Sequence, residues 1–220
     1  MVLTRVAAAT LAWLVAAVAG AGSHSMISGR VELHGDPPPV APRPRVAALG
    51  MPPGPIEVVD RRQAVVYLEE APRRAFEESE RGHVVLDQRN ESFLPHVLAI
   101  TVGTTVDFVN SDALYHNVFS LSKAKRFDLG RYPRGQRKSV LFDSPGVVRV
   151  FCEIHSHMSA FILVFAHRYF ALTQSDGRYR IEDVPPGNYT VVAWHEGESR
   201  ASRSVEVRPN ESVELDFVLP

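Results

Sequence analysis

Cysteine is almost absent from this chain of 220 residues, which holds one, Cys152. A lone thiol excludes an internal disulfide, so Cys152 is an inert buried thiol, a reactive thiol or a metal ligand. An excess of charge of either sign is also missing: 24 Lys and Arg stand against 25 Asp and Glu, a formal net charge of -1, which leaves no electrostatic footprint for nucleic acid. Long apolar runs are lacking too. The longest, Val6 to Val18, falls short of the roughly 20 residues a helix needs to cross a bilayer. Arg5 before it and Ala19-Gly20-Ala21 after it give it the form of a secretory signal peptide over residues 1–21. The mature chain is therefore expected in the periplasm or secreted, with no membrane span after cleavage.

No convincing amphipathic helix separates the apolar segments; the texture is one of short strands. Ile27, Gly29, Val31 and Leu33 alternate with polar neighbours, the period of a half-buried strand. Half of the 16 prolines then fall between Pro37 and Pro55, which predicts an extended loop of polyproline character. Ala64 to Leu68 reads as a second strand, and Pro72 to Gly82 as a charged connector. From His83 the apolar runs are short: His83 to Leu86, Val97 to Val102, Thr105 to Val109, Asn117 to Ser120, Ser139 to Phe142, Val147 to Cys152 and Ala160 to Phe165. Turn residues such as Gly103, Asn110-Ser111-Asp112 and Pro145-Gly146 punctuate them, so this part is expected to be a β-sandwich or barrel. Further strands follow at Tyr189 to Trp194, around Val205 and Val207, and from Val213 to Leu219.

The chemistry concentrates in Val150-Phe151-Cys152-Glu153-Ile154-His155-Ser156-His157-Met158, which packs the only cysteine, two of nine histidines and one of four methionines into one loop. Thiolate, imidazole and thioether at Cys-x-x-His-x-x-Met spacing form a soft donor set suited to copper, once a second imidazole arrives from another strand. His116, just after the turn at Asn110-Ser111-Asp112 and just before an apolar strand, supplies that imidazole. In Val147 to Cys152, Val148, Val150 and Cys152 share one face while Val147, Arg149 and Phe151 share the other. Arg149 belongs outside, so Cys152 is expected to point inward.

Residues 82–166 resemble a cupredoxin of the plastocyanin and amicyanin type. The likeness rests on Phe93-x-Pro95, Val102-Gly103-x-x-Val106-x-Phe108-x-Asn110, His116-Asn117-Val118, and Pro145-Gly146 leading into Phe151-Cys152-x-x-His155-x-x-Met158. It implies a Greek-key β-sandwich binding one copper ion, with His116, Cys152 and His155 as equatorial ligands and Met158 as the axial one. It also implies that Asn117 braces the two ligand loops around the sulfur. His157 departs from the pattern: it is either a rim residue open to solvent or a substitute for Met158 or His155. Glu153 adds a carboxylate beside the thiolate. No catalytic residue is assigned, and the implied task is one-electron transfer through the edge of His155, close to Ala160 and Phe161. The partner would be a periplasmic redox protein, a cytochrome or a quinoprotein or other oxidoreductase, with the chain itself a monomer. A copper carrier or sensor, or a non-blue catalytic copper site recruiting His157 or Glu153, are the competing readings. The basic stretch Lys123, Lys125, Arg126, Arg131, Arg134, Arg137 and Lys138 is either a solvated loop or a surface that steers an acidic partner. His96 is expected at the surface or behind the ligands, and His34, His83, His167 and His195 lack ligand spacing.

Asp176-Gly177-x-Tyr179-x-Ile181-x-x-Val184-Pro185-Pro186-Gly187-x-Tyr189 is similar to the second half of carboxypeptidase regulatory-like domains, a smaller transthyretin-like β-sandwich. Ser28-Gly29-Arg30-Val31 and Ala64 to Leu68 look like its first half. The all-β chain is thus expected to form that second sandwich from residues 27–70 and 168–220, with the cupredoxin-like domain inserted between them.

Overall fold

The computed structural model describes residues 25–34, 61–72, 82–196 and 199–220. The segments read as a signal peptide and as a proline-rich loop, and most of the one read as a connector, lie outside these residues. Among those described, all regular structure is β-strand, as the absence of helical periodicity predicts.

Nine strands in the middle of the chain make one sandwich. Strands β3 (His83–Arg89), β4 (Ser92–Leu94), β6 (Thr104–Asn110) and β9 (Arg137–Phe142) form a sheet in the order β4-β3-β6-β9. Strands β5 (Val97–Thr101), β7 (His116–Leu121), β8 (Arg126–Tyr132), β10 (Gly146–Phe151) and β11 (Ser159–Phe165) form the other, in the order β5-β11-β10-β7-β8. Their facing side chains, among them Leu86, Phe108, Phe142, Val118, Val150 and Ile162, make a continuous core. Each contributes about 1.5–3 kcal/mol by leaving water. In β10 the predicted alternation holds: Val148 and Val150 are fully buried and lead to buried Cys152, while Val147 faces out.

Two strands depart from expectation. Strand β8 occupies part of the stretch read as a basic loop. Its charged residues masked an alternation in which Phe127 and Leu129 pack on the core while Arg126, Asp128 and Gly130 face water. Strand β11 has no solvent face, since its residues from Ala160 to Phe165 are all buried. Ala160, Ile162 and Val164 point into the core just described. Phe161, Leu163 and Phe165 point the other way, into a second apolar layer with Val65, Val97 and Trp194.

That layer is covered by the remaining strands. One sheet holds β1 (Met26–Leu33) between β13 (Arg178–Ile181) and β16 (Ser212–Glu214), with β17 (Phe217–Leu219) also pairing β1. The other runs β12-β2-β14-β15, from β12 (Phe170–Leu172), β2 (Val65–Leu68), β14 (Gly187–His195) and β15 (Ser199–Val207). Strands from both ends of the sequence share one core of Ile27, Val66, Leu68, Ile181, Val191 and Phe217. Gly29 of β1 is required by close approach, because a Cβ there would collide with the Leu215 carbonyl.

Candidate metal centre

His116 opens β7, and the turn before it is built by its own polar side chains. Asn110 accepts the Asp112 N–H at 2.9 Å and donates to the Leu114 and Tyr132 carbonyls at 2.9 and 3.1 Å. This Asx geometry swings Asp112 back toward the strand it precedes. Its Oδ2 lies 3.0 Å from His116 Nε2 and accepts the Glu91 N–H at 2.8 Å. With Nε2 so engaged, the imidazole turns Nδ1 inward, the arrangement by which an outer carboxylate sets the tautomer of a metal-binding histidine.

The second loop joins β10 to β11. It is closed on itself by the Cys152 N–H donating to the Met158 carbonyl at 3.3 Å and the Met158 N–H donating to the His155 carbonyl at 2.9 Å. Asn117 ties it to β7: its side-chain oxygen accepts the Glu153 N–H at 2.6 Å, and its amide nitrogen donates to Asp128 at 3.2 Å.

These two loops bring His116 Nδ1 within 3.0 Å of His155 Nδ1, with Cys152 Sγ at 3.8 Å from the first and 3.9 Å from the second. A point equidistant from the three atoms lies roughly 2.1 Å from each, the length of a bond from imidazole or thiolate to a transition metal. Two imidazole nitrogens and a sulfur converging on one point form a donor set suited to a transition metal. Met158 is buried beside Cys152 in the same core. His116 and Cys152 are buried and His155 is partly exposed, so the centre meets solvent on one side.

The electrostatics favour a thiolate. Burial raises the Cys152 thiol, but the His116 ring and the backbone N–H groups of Asn117, His155 and Ile154 outweigh it and bring the pKa below its ordinary value. Burial works against charge on Asp112 as well, yet hydrogen bonds from His116, Glu91 and Ala113 hold it at about 2. For His116, burial is overcome by Asp112 and Cys152, which lift it to about 9 in the metal-free protein. His155 is lowered, first by burial and then by the neighbouring charge of His116.

The residues named as alternative ligands face elsewhere. His157 is partly buried rather than open to solvent, with Nε2 3.4 Å from Glu91. Glu153 is exposed and faces Arg131 at 3.4 Å. The expected apolar rim differs as well: Ala160 and Phe161 are buried because β11 turns straight back into the fold. Tyr115 and Ile154, adjacent in sequence to His116 and His155, are exposed apolar residues at this end, at 60% and 40%. His96 is corrected likewise, being 3% exposed and packed edge-on against Phe161. Asp112 and Glu91 were missed by sequence reasoning. The placement of Asp112 four residues before His116, directly after an Asn-Ser turn, was the signal for the first; nothing local marks Glu91.

Residues 159–220 match the profile of the carboxypeptidase regulatory-like domain. No curated protein matches the chain. Among solved structures, 37% of this chain is similar to 22% of a Cu-containing nitrite reductase from Thermus scotoductus SA-01, at 31% identity and a TM-score of 0.36. A purple cupredoxin from Nitrosopumilus maritimus aligns over 34% of this chain and 84% of its own, at 29% identity and a TM-score of 0.32. A reduced amicyanin variant aligns over 46% and 98%, at 23% identity and a TM-score of 0.36. This chain therefore spans under a quarter of the reductase, and each of these likenesses takes in less than half of this chain. No helix among the described residues is long and apolar enough to cross a membrane.

Proposed function

We propose that this protein is an exported type 1 copper protein that carries single electrons between periplasmic redox partners. The observation that carries the reading is the convergence of His116 Nδ1, Cys152 Sγ and His155 Nδ1 at 3.0 to 3.9 Å. The Met158 thioether is assigned as the weak fourth donor. Copper in such a set supplies a couple that exchanges one electron with little rearrangement of its ligands.

The chain's own residues do the rest. Asp112 keeps the His116 Nδ1 lone pair free, and the backbone N–H groups around Cys152 favour the thiolate. Asn117 holds the two ligand loops at fixed separation. Because His116, Cys152 and Met158 are buried, water is kept from the donor atoms, and electrons enter and leave by way of His155. The exposed Tyr115 and Ile154 border that exit, with Arg131 and Arg134 nearby in sequence to the strand end paired with His116. The partner is a cytochrome, a quinoprotein or another oxidoreductase. No catalytic role is assigned, since His157 and Glu153 are engaged by Glu91 and Arg131.

The sandwich of residues 27–70 and 168–220 is proposed as one non-catalytic domain, with residues 82–166 inserted into it. Among the described residues, strand β1 pairs only with strands beyond residue 177. Truncation after Phe165 should accordingly unfold strands β1 and β2, detected as loss of their amide-exchange protection; full protection would refute the division.

Addition of Cu(II) to the mature protein, followed by visible and paramagnetic-resonance spectra, tests the copper reading. The wild type should show an intense thiolate charge-transfer band that Cys152→Ser abolishes. A colourless wild type, or a Cys152→Ser spectrum identical to it, would refute the assignment.

A further inference from the structure

We propose that a pair across the boundary between the sandwiches, buried His96 with half-buried Glu196, couples the accessory sandwich to the metal-ligand loop. His96 is thereby a positioning residue for that loop. The inference rests on the copper reading for its consequence and on the geometry alone for its existence.

The boundary is built mainly from apolar side chains among the described residues. Val65, Val97, Phe161, Leu163, Phe165 and Trp194 fill it, and apolar contact is non-directional. Into this layer His96 brings an imidazole whose side chain is 2% exposed, with Nε2 3.2 Å from Glu196 Oε1. Both facing atoms are buried and, among the described residues, neither makes a hydrogen bond, so the ion-pair contact is what each has, although the Glu196 side chain as a whole is 30% exposed. Glu196 follows β14 at a positive φ of 46°, which bends the chain end back over the boundary. Contact with His96 is the main influence lowering the Glu196 carboxyl, with the charges of Arg61 and His195 adding to it. A pair of this kind adds little net stability, yet separating the partners leaves the buried imidazole without a polar contact, so it favours one orientation.

The link to the metal loop runs through Phe161. The His96 carbonyl accepts the Phe161 N–H at 2.9 Å, and the His96 ring meets the Phe161 ring edge-on at 5.7 Å. Trp194, two residues before Glu196, closes on the other side of the Phe161 ring at 5.3 Å. Phe161 stands three residues after Met158, whose carbonyl holds the Cys152 N–H. The exit of the ligand loop is thus anchored on a phenylalanine packed against the rings of His96 and Trp194, the first held by Glu196 and the second on the hairpin end that carries Glu196. Glu196 itself lies outside the loop and contributes no donor atom to the centre.

Glu196→Ala in the full-length protein tests this, with Glu196→Gln as the conservative variant. Glu196→Ala should shift the Cu(II) visible and paramagnetic-resonance spectra and the reduction potential, and release copper to a chelator several times faster. Glu196→Gln, which keeps a hydrogen-bonding partner for the imidazole, should return wild-type values. In the metal-free protein, Glu196→Ala should accelerate amide exchange at Cys152, Met158 and Phe161. A wild-type spectrum and potential in Glu196→Ala, with or without a lower melting temperature, would reduce the pair to a structural contact and overturn the proposal. If the wild type binds no copper, the copper reading has failed. Amide exchange then decides the coupling by itself: acceleration supports it, and unchanged exchange overturns it. Should Glu196→Ala not fold, the same measurements on Glu196→Gln and His96→Gln decide the matter, with wild-type exchange and spectra in His96→Gln counting against a positioning role.

Discussion

The two sandwiches are made of the same material, short strands around cores of Val, Leu, Ile and Phe, but they place their buried polar groups differently. In the middle sandwich Asn110, His116 and Asn117 are all buried at one end: Asn110 shapes the turn before His116, His116 faces Cys152, and Asn117 holds the loop that follows Cys152. In the accessory sandwich the buried polar residues serve the frame: Ser25 donates to the Arg208 carbonyl and Thr173 accepts the Ala64 N–H at 2.9 Å each. Desolvated polar groups are tolerated only when paired, so a cluster of them around a thiol marks a region shaped for something other than stability. One sandwich is organised toward a point, and the other is organised toward itself.

Four substitutions probe that contrast, the largest effect first. Cys152→Ser should abolish the thiolate band while leaving the accessory core folded, read by visible spectra and circular dichroism. Phe217→Ala, in the accessory core at 1% exposure, should lower unfolding free energy by about 3–5 kcal/mol, measured by denaturant titration, and leave the Cu(II) spectrum in place. A lost spectrum at folded conditions would erase the distinction between the regions. Asp112→Asn, which weakens the group that orients His116, should reduce copper affinity about 10- to 100-fold, measured by competition with a chelator, with little change in melting temperature. Arg131→Ala removes an ion pair whose side chains are 63% and 60% exposed, and should change stability by at most about 1 kcal/mol. A loss well above that would mean the ligand loop depends on its rim.

Much of this was legible because local chemistry was unambiguous. Cys152, His155 and Met158 are close in sequence, so a donor set could be read without knowing the fold, and the alternation of Val148, Val150 and Cys152 gave its direction. His116 was legible from a turn followed by an apolar strand. Strand β8 was not, because its charges outnumber the two apolar residues that show its period. Ala160 and Phe161 were misjudged for a different reason. Whether a face of β11 meets water depends on what covers it, and Trp194 and Val65 come from segments far away in the chain.

Composition and spacing alone thus determined an all-β chain without disulfides and a soft-metal loop, since donor type and strand period are properties of neighbouring residues. Only the tertiary structure decided that Asp112 orients His116, that His157 turns to Glu91, and that His96 is sealed against Glu196. Each of these is a contact between groups whose separation in space is set by sheet register and packing, and burial, unlike periodicity, belongs to no single segment.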